Sequence, residues 1–186
     1  MINTEILYTA NSNSPPIFKE VLMTQATSKS IIQLRSISPN DLPIFFEQQL
    51  DPEANWMAAF TAKDPSDRQA FDAHWEKILA DNGITIRTIL ADGAVVGSVL
   101  CHAWGGEPEI SYWLGREFWG KGIATTALAL FLDVVDVRPL FARVAKDNAA
   151  SIRILEKNGF ELSGEGMWFS NARGKEIEEL VWVRQS

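Results

Sequence analysis

Residues 112–131 read YWLGREFWGKGIATTALALF. An aromatic, strand-like segment runs into glycines at 115, 120 and 122, and small and apolar residues follow at once. Gly120 and Gly122, so close together, mark a backbone that residues bearing a side chain avoid. The succession therefore demands a strand, a sharp loop and a helix. Such a loop leaves several N–H groups free at a helix N-terminus, where the helix dipole favours an anion.

Three kinds of phosphate loop compete for this block. Gly115 to Lys121 follows most of the G-x-x-x-x-G-K pattern of a nucleotide P-loop, but Gly122 stands where that loop needs a hydroxyl for Mg²⁺. Phe118 and Trp119 are also bulky for a loop that wraps a phosphate. Gly120, Gly122 and Thr125 give a dinucleotide fingerprint without its third glycine, after strands that look like a meander and not a βαβ unit. The third reading needs no metal: backbone N–H groups hold a pyrophosphate directly. Taken alone, the loop is equally a tight turn that binds nothing.

The rest of the chain supplies the context. Strands are expected at 31–37, 84–90, 94–104, 108–115, 140–145, 161–169 and 177–184, from alternation and from turn signals such as Ala91-Asp92-Gly93. Four helices are expected. The first starts after Ser38 as N-cap, and the second after Asp64 with Ala70, Phe71, Trp75, Ile78 and Leu79 buried. The third runs from about 121 to 136 on Ile123, Ala127, Leu130, Phe131 and Val134, and the fourth is capped by Asn148 and stopped by Gly159-Phe160. Residues 1–30 are polar and aperiodic, a tail or an arm packed through Ile17, Phe18, Val21 and Leu22; the domain proper is 31–186. With 46% hydrophobic residues the chain suits one globular core. Its net charge of −7 disfavours nucleic acid. The single cysteine, Cys101, makes no internal disulfide or Cys-pair metal site. No apolar run suits a membrane span and no secretory leader is visible, so a cytoplasmic location is expected.

The second informative block is DNAASIRILEKNGF, residues 147–160. Each of its residues has a structural explanation by itself. Together with EFWGKGIATTAL, in strand-helix order, it resembles the GNAT superfamily of acyl-CoA-dependent N-acetyltransferases. The likeness is to the branch of ribosomal-protein alanine N-acetyltransferases, and it covers about residues 31–185. It implies an α/β (α+β) fold: a mixed, mostly antiparallel sheet flanked by four helices and splayed between the fourth and fifth strands. It implies acetyl-CoA as cofactor, no metal, and a primary amine as acceptor, either a protein N-terminus or a small molecule. A monomer or homodimer is expected. A CoA-binding sensor or scaffold without turnover is the alternative.

Residue by residue, the resemblance implies that the cofactor's arm enters between the strand of Trp113, Leu114 and Gly115 and the strand of Ala142 and Val144. Gly120, Lys121, Gly122, Ile123 and Ala124 would offer N–H groups to the pyrophosphate, and Thr125 a hydroxyl. Asn148 would bond the pantetheine arm. Ser151 lies where this branch places a proton donor for the departing thiolate, since the tyrosine of other members is missing. Glu117 replaces a leading Gln or Arg and is expected to point into solvent.

Amine acetylation also needs a base for the ammonium proton and donors for the developing oxyanion. Glu109 is the expected base, through water, with His102 as rival on the adjacent strand and as a candidate acceptor contact. Backbone N–H groups near Trp113 and Leu114 are the expected oxyanion donors. Trp56 and Phe60 either line the acceptor site or belong to the core. The acidic residues of the first two helices are an acceptor rim or simply a wet helix face.

Overall fold

A computed structural model describes residues 30–186 of the chain. The tail or arm expected at 1–30 falls outside the described residues but for its last position. Seven strands form one sheet: β1 (Ile32–Arg35), β2 (Thr85–Ala91), β3 (Ala94–His102), β4 (Glu109–Leu114), β5 (Leu140–Ala145), β6 (Glu161–Ser170) and β7 (Lys175–Arg184). Their spatial order is β1-β2-β3-β4-β5-β7-β6. Every neighbouring pair is antiparallel except β4 with β5.

Among the described residues five α-helices flank the sheet: α1 (Leu42–Gln49), α2 (Pro52–Ala58), α3 (Arg68–Ala80), α4 (Ile123–Leu132) and α5 (Ala149–Lys157). The expectation was four. The extra one, α2, is a short helix capped by Asp51, whose carboxylate accepts from the N–H groups of Glu53 and Ala54. Ser38 caps as expected, heading the short 3₁₀ turn that leads into α1. The next helix starts three residues later than expected. Asp64 spends its carboxylate on the N–H and hydroxyl of Ser66. Asp67 takes over as N-cap of α3 through the N–H of Ala70.

The inner face of α3 is Phe71, Trp75 and Ile78, whereas Ala70 and Leu79 are exposed. The inner face of α4 is Ile123, Ala127, Leu128, Phe131 and Leu132. Leu130 and Val134 face solvent, and α4 ends at Leu132, short of 136. Its sequence IATTALALFL has almost no polar stripe, so periodicity does not say which apolar residues turn inward. The stop of α5 is as expected. Gly159 takes a left-handed φ of 77°, the N–H of Phe160 bonds the Leu155 carbonyl, and that of Gly159 bonds Glu156.

The sheet separates two cores. On one face Ile110, Leu114, Ala142, Val144, Leu180 and Trp182 pack with α4 and α5. On the other, Ile86 and Leu100 pack with Phe45, Phe71, Trp75 and Ile78 of α1 and α3. No helix of the described residues is long and apolar enough to cross a membrane.

Candidate active site

β4 and β5 run parallel and meet at a single register pair, Glu109 with Phe141, where the Phe141 N–H bonds the Pro108 carbonyl at 2.8 Å. Beyond that point they part. On its other edge β4 keeps a full ladder with β3. Antiparallel ladders alternate bonded and outward-facing main-chain groups. The Gly115 N–H bonds Val96 at 3.0 Å, which fixes the phase. Trp113 and Ser111 therefore spend their main-chain groups on β3, whereas Ile110, Tyr112 and Leu114 turn theirs toward the split. Of the two oxyanion donors expected, Leu114 faces the split and Trp113 does not. The Leu114 carbonyl is taken by Trp119 Nε1 at 3.0 Å, leaving its N–H.

At the open end of the split lies the glycine loop. Gly120 and Gly122 have φ of 71° and 76°. Among the described residues, a Cβ built on either meets no other atom within 4 Å, so nothing of that part of the chain crowds the loop. Gly122 is the N-cap of α4 and supplies no side-chain bond, so the first-turn N–H groups, from Ile123 to Thr125, have no capping side chain. Lys121 lays its ammonium 5.6 Å from the Phe118 ring centroid. Glu117 is exposed and turns back over Gly115, where an added Cβ would stand 2.9 Å from its carboxylate.

A cavity of about 730 Å³ runs through the split. On the α5 side it is lined by Tyr112, Ala142, Val144, Ser151 and Leu155. Among the described residues the Tyr112 hydroxyl and Trp113 Nε1 are buried polar atoms without a hydrogen-bond partner. Burial pushes the Tyr112 phenol up to about 12, and the neighbouring Ser151 hydroxyl opposes the shift. Asn148 is more committed than expected. Its Oδ1 accepts the Ser151 N–H at 3.1 Å, and its Nδ2 donates to the Met57 carbonyl at 3.1 Å. It ties the start of α5 to α2 and has little left for a cofactor arm.

On the α1–α3 side the lining carries charge. Arg143 donates to Glu109 Oε2 at 3.1 Å and to Glu179 Oε2 at 3.4 Å. Burial pushes both carboxyl groups above the ordinary carboxylate range, and the Arg143 charge opposes the shift. His102 pairs across the strands with Glu109 but stands behind the lining. Its Nε2 lies 3.3 Å from Ser111 Oγ, its ring stacks on Trp104 at 3.9 Å, and burial lowers its pKa. Phe60 lines the cavity. Trp56 does not: it is half exposed, with the Arg173 guanidinium 5.1 Å from its ring.

The sequence reading passed over Tyr112, Arg143, Glu179 and Trp104. Glu179 carries a readable signal. It falls in phase with Ile177, Val181 and Val183, an acid on an alternating apolar face. The others carry none that separates them from ordinary strand and loop residues.

The sheet is thus parted between two parallel strands, with a glycine-lined helix N-terminus at one end of the gap and a carboxylate cluster on the far face. The family model of the acetyltransferase (GNAT) domain matches residues 32–161. The chain belongs to the GNAT acetyltransferases. It is 28% identical over 149 residues to "Putative ribosomal N-acetyltransferase YdaF" of Bacillus subtilis (strain 168), covering 72% of this chain and 80% of that protein. It is 32% identical over 81 residues to "Uncharacterized N-acetyltransferase p20" of Bacillus licheniformis, covering 41% of this chain and spanning only 46% of that relative. The fold is similar to that of Mycobacterium smegmatis RimJ in complex with CoA-disulfide, at a TM-score of 0.71 and 22% identity over 83% of this chain and 82% of that one.

Proposed function

We propose that this chain is an acetyl-CoA-dependent N-acetyltransferase acting on a primary amine by direct attack. The observation that carries the reading is the split that closes at Glu109 and Phe141 and opens toward the glycine-lined N-terminus of α4, which has no side-chain cap. The residues present fit a CoA ligand. The cradle has room above Gly120 and Gly122, the Leu114 N–H faces the gap, and the Tyr112 hydroxyl lacks a partner. The similarity in fold to a RimJ described in complex with CoA-disulfide supports a CoA ligand here.

When bound, acetyl-CoA supplies an activated acetyl group. The chain's own residues then divide the work. The uncapped N–H groups of α4 hold the pyrophosphate with help from the helix dipole. The outward N–H groups of Tyr112 and Leu114 extend the β4 edge to the arm, as an added strand would. The same N–H groups stabilise negative charge developing on the acetyl oxygen. Glu109 takes the ammonium proton through water, so the amine attacks neutral; Arg143 keeps that carboxylate in place. The C–N bond would form as the C–S bond breaks; Ser151, with the Tyr112 hydroxyl beside it, would be placed to give the departing sulfur a proton, and the second proton lost by the new amide nitrogen would pass through solvent to restore the Ser151 hydroxyl.

The experiment is free-thiol release from acetyl-CoA over a panel of amines and peptides. Ser151→Ala is expected to lower kcat about 10²-fold with unchanged CoA affinity. Tight acetyl-CoA binding with no transfer to any acceptor, and indifference to Glu109→Gln and Ser151→Ala, would instead identify a sensor or scaffold domain.

A further inference from the structure

The chamber on the α1–α3 face narrows the acceptor, given the acetyltransferase reading above. We propose that it takes an arylalkyl monoamine: one ammonium on a short chain ending in a flat aromatic body. A single guanidinium, Arg143, serves two carboxylates, Glu109 and Glu179, whose side chains are only 20% and 6% exposed. With both ionised the cluster keeps one negative charge facing the cavity, and one cation completes it.

The other acids of the lining, Asp64 and Asp67, keep their charge but are exposed to solvent. Asp64 is bonded to Ser66 and Asp67 caps α3. The wall has no second deep counter-charge for a polyamine.

The lining is also aromatic: Phe60, Phe71, His74, Trp75, Trp104 and Trp113. Trp104 is the informative member. It lines the chamber and is 56% exposed, so its ring is open to a ligand. Yet it is held between both histidines of the chain. His102 stacks on it at 3.9 Å and 20°, and His74 meets it edge-on at 5.8 Å and 62°. Burial lowers the pKa of both imidazoles, so the stack is uncharged at neutral pH. A fixed, neutral aromatic face suits a flat apolar group better than a flexible polar one.

A peptide backbone would need donors and acceptors along its length. On this side the lining offers few unpartnered buried polar atoms, Thr61 Oγ1 and Trp113 Nε1 among the described residues. The chamber therefore has a charge for one ammonium and surface for a ring, and little to bind an amide chain.

The test compares thiol release with phenethylamine and tryptamine, spermidine, and a short peptide with N-terminal alanine. Acetyl-CoA binding is measured separately by calorimetry. The arylalkyl amines are expected to exceed spermidine and the peptide by about tenfold or more in kcat/KM. Trp104→Ala is expected to erase that preference by raising KM, with CoA affinity and melting temperature held. Better turnover of spermidine or the peptide, or a preference that survives Trp104→Ala, overturns the proposal while leaving the acetyltransferase reading intact. No acetyl-CoA binding, or binding without transfer to any amine, overturns both.

Discussion

Gly122→Ala isolates the cradle, provided the cost of its backbone is separated from the cost to the ligand. Gly122 sits at φ 76°, where an L-residue pays roughly 1–2 kcal/mol. For a chain of this length that is a fall in Tm of roughly 2–8 °C. The added methyl meets no protein atom within 4 Å, so no steric cost within the protein is added. It does enter the space where the pyrophosphate would approach the first-turn N–H groups. Losing one charge-assisted bond there is worth about 1.5–3 kcal/mol, or a loss of CoA affinity of tenfold or more. Gly159→Ala is the matched control. Its φ is 77° and its nearest contact would be Arg184 Nε at 3.8 Å, but it closes α5 and touches no cradle. Both variants are therefore expected to melt lower by a similar amount in thermal denaturation, and only Gly122→Ala to lose affinity in titration calorimetry with acetyl-CoA. Unchanged affinity in Gly122→Ala, or equal loss in both, would refute the cradle and reduce the glycines to turn residues.

Three further outcomes follow from particular contacts. Asp41 is 2% exposed and accepts from Arg35 at 2.6 and 2.7 Å, Thr88 Oγ1 at 2.7 Å and the Ser38 N–H at 2.9 Å. Asp41→Ala is expected to cost about 3 kcal/mol in urea unfolding, because it strands the buried Thr88 hydroxyl beside an unpaired guanidinium. The raised carboxyl groups of Glu109 and Glu179 bind protons more tightly folded than unfolded. Their contribution to stability is thus full below the ordinary carboxylate pKa and is lost as pH rises through the raised value. Relative to Glu179→Gln, the parent chain should lose stability with rising pH across that window, and its kcat/KM should rise there as Glu109 ionises. Asn148→Ala should cost about 1 kcal/mol as a lost N-cap and raise the acceptor KM more than the CoA dissociation constant. A change in CoA affinity alone would return Asn148 to the role of an arm ligand.

The parts of the fold legible in the sequence are those governed by local rules. Gly159-Phe160 ends α5 because only the left-handed position and the apolar residue after it satisfy the last carbonyls. Asp92-Gly93 turns β2 into β3 with two positive φ angles, 51° and 83°, as a two-residue hairpin requires. The left-handed backbone at Gly120 and Gly122 was legible for the same reason. What failed was decided at longer range. Asp64 and Asp67 are equally good caps by composition. The Pro65 carbonyl accepts Gln49 Nε2 at 2.6 Å, holding the segment before α3 against α1 outside the helix. Glu109 lies on β4, the strand expected for it, but its partner Arg143 lies 34 residues away and Glu179 a further 36 beyond Arg143. No spacing rule joins them.

The wall of the acceptor chamber shows the same limit more sharply. Residues Ala58, Phe60 and Thr61 form part of it, just past a helix of seven residues too short to stand by itself. The carbonyls at the end of that helix would be left bare. They are taken instead by side chains from two distant places. Asn148 reaches the Met57 carbonyl from the start of α5. From the β6–β7 turn, Arg173 reaches Trp56 at 3.0 Å, Ser170 reaches Ala59 at 2.6 Å and Asn171 reaches Thr61 at 2.8 Å. Arg173 is itself fixed by two bonds to Asp147, beside the Asn148 that caps α5. Trp56, expected as an acceptor contact or a core residue, belongs to this clamp and packs beneath that guanidinium. The segment that carries Ser151 and the segment that walls the acceptor are thus tied through one set of side-chain-to-carbonyl bonds. Displacing either moves the other, and in the proposed reaction that coupling would hold the attacking amine and Ser151 in one frame across the split.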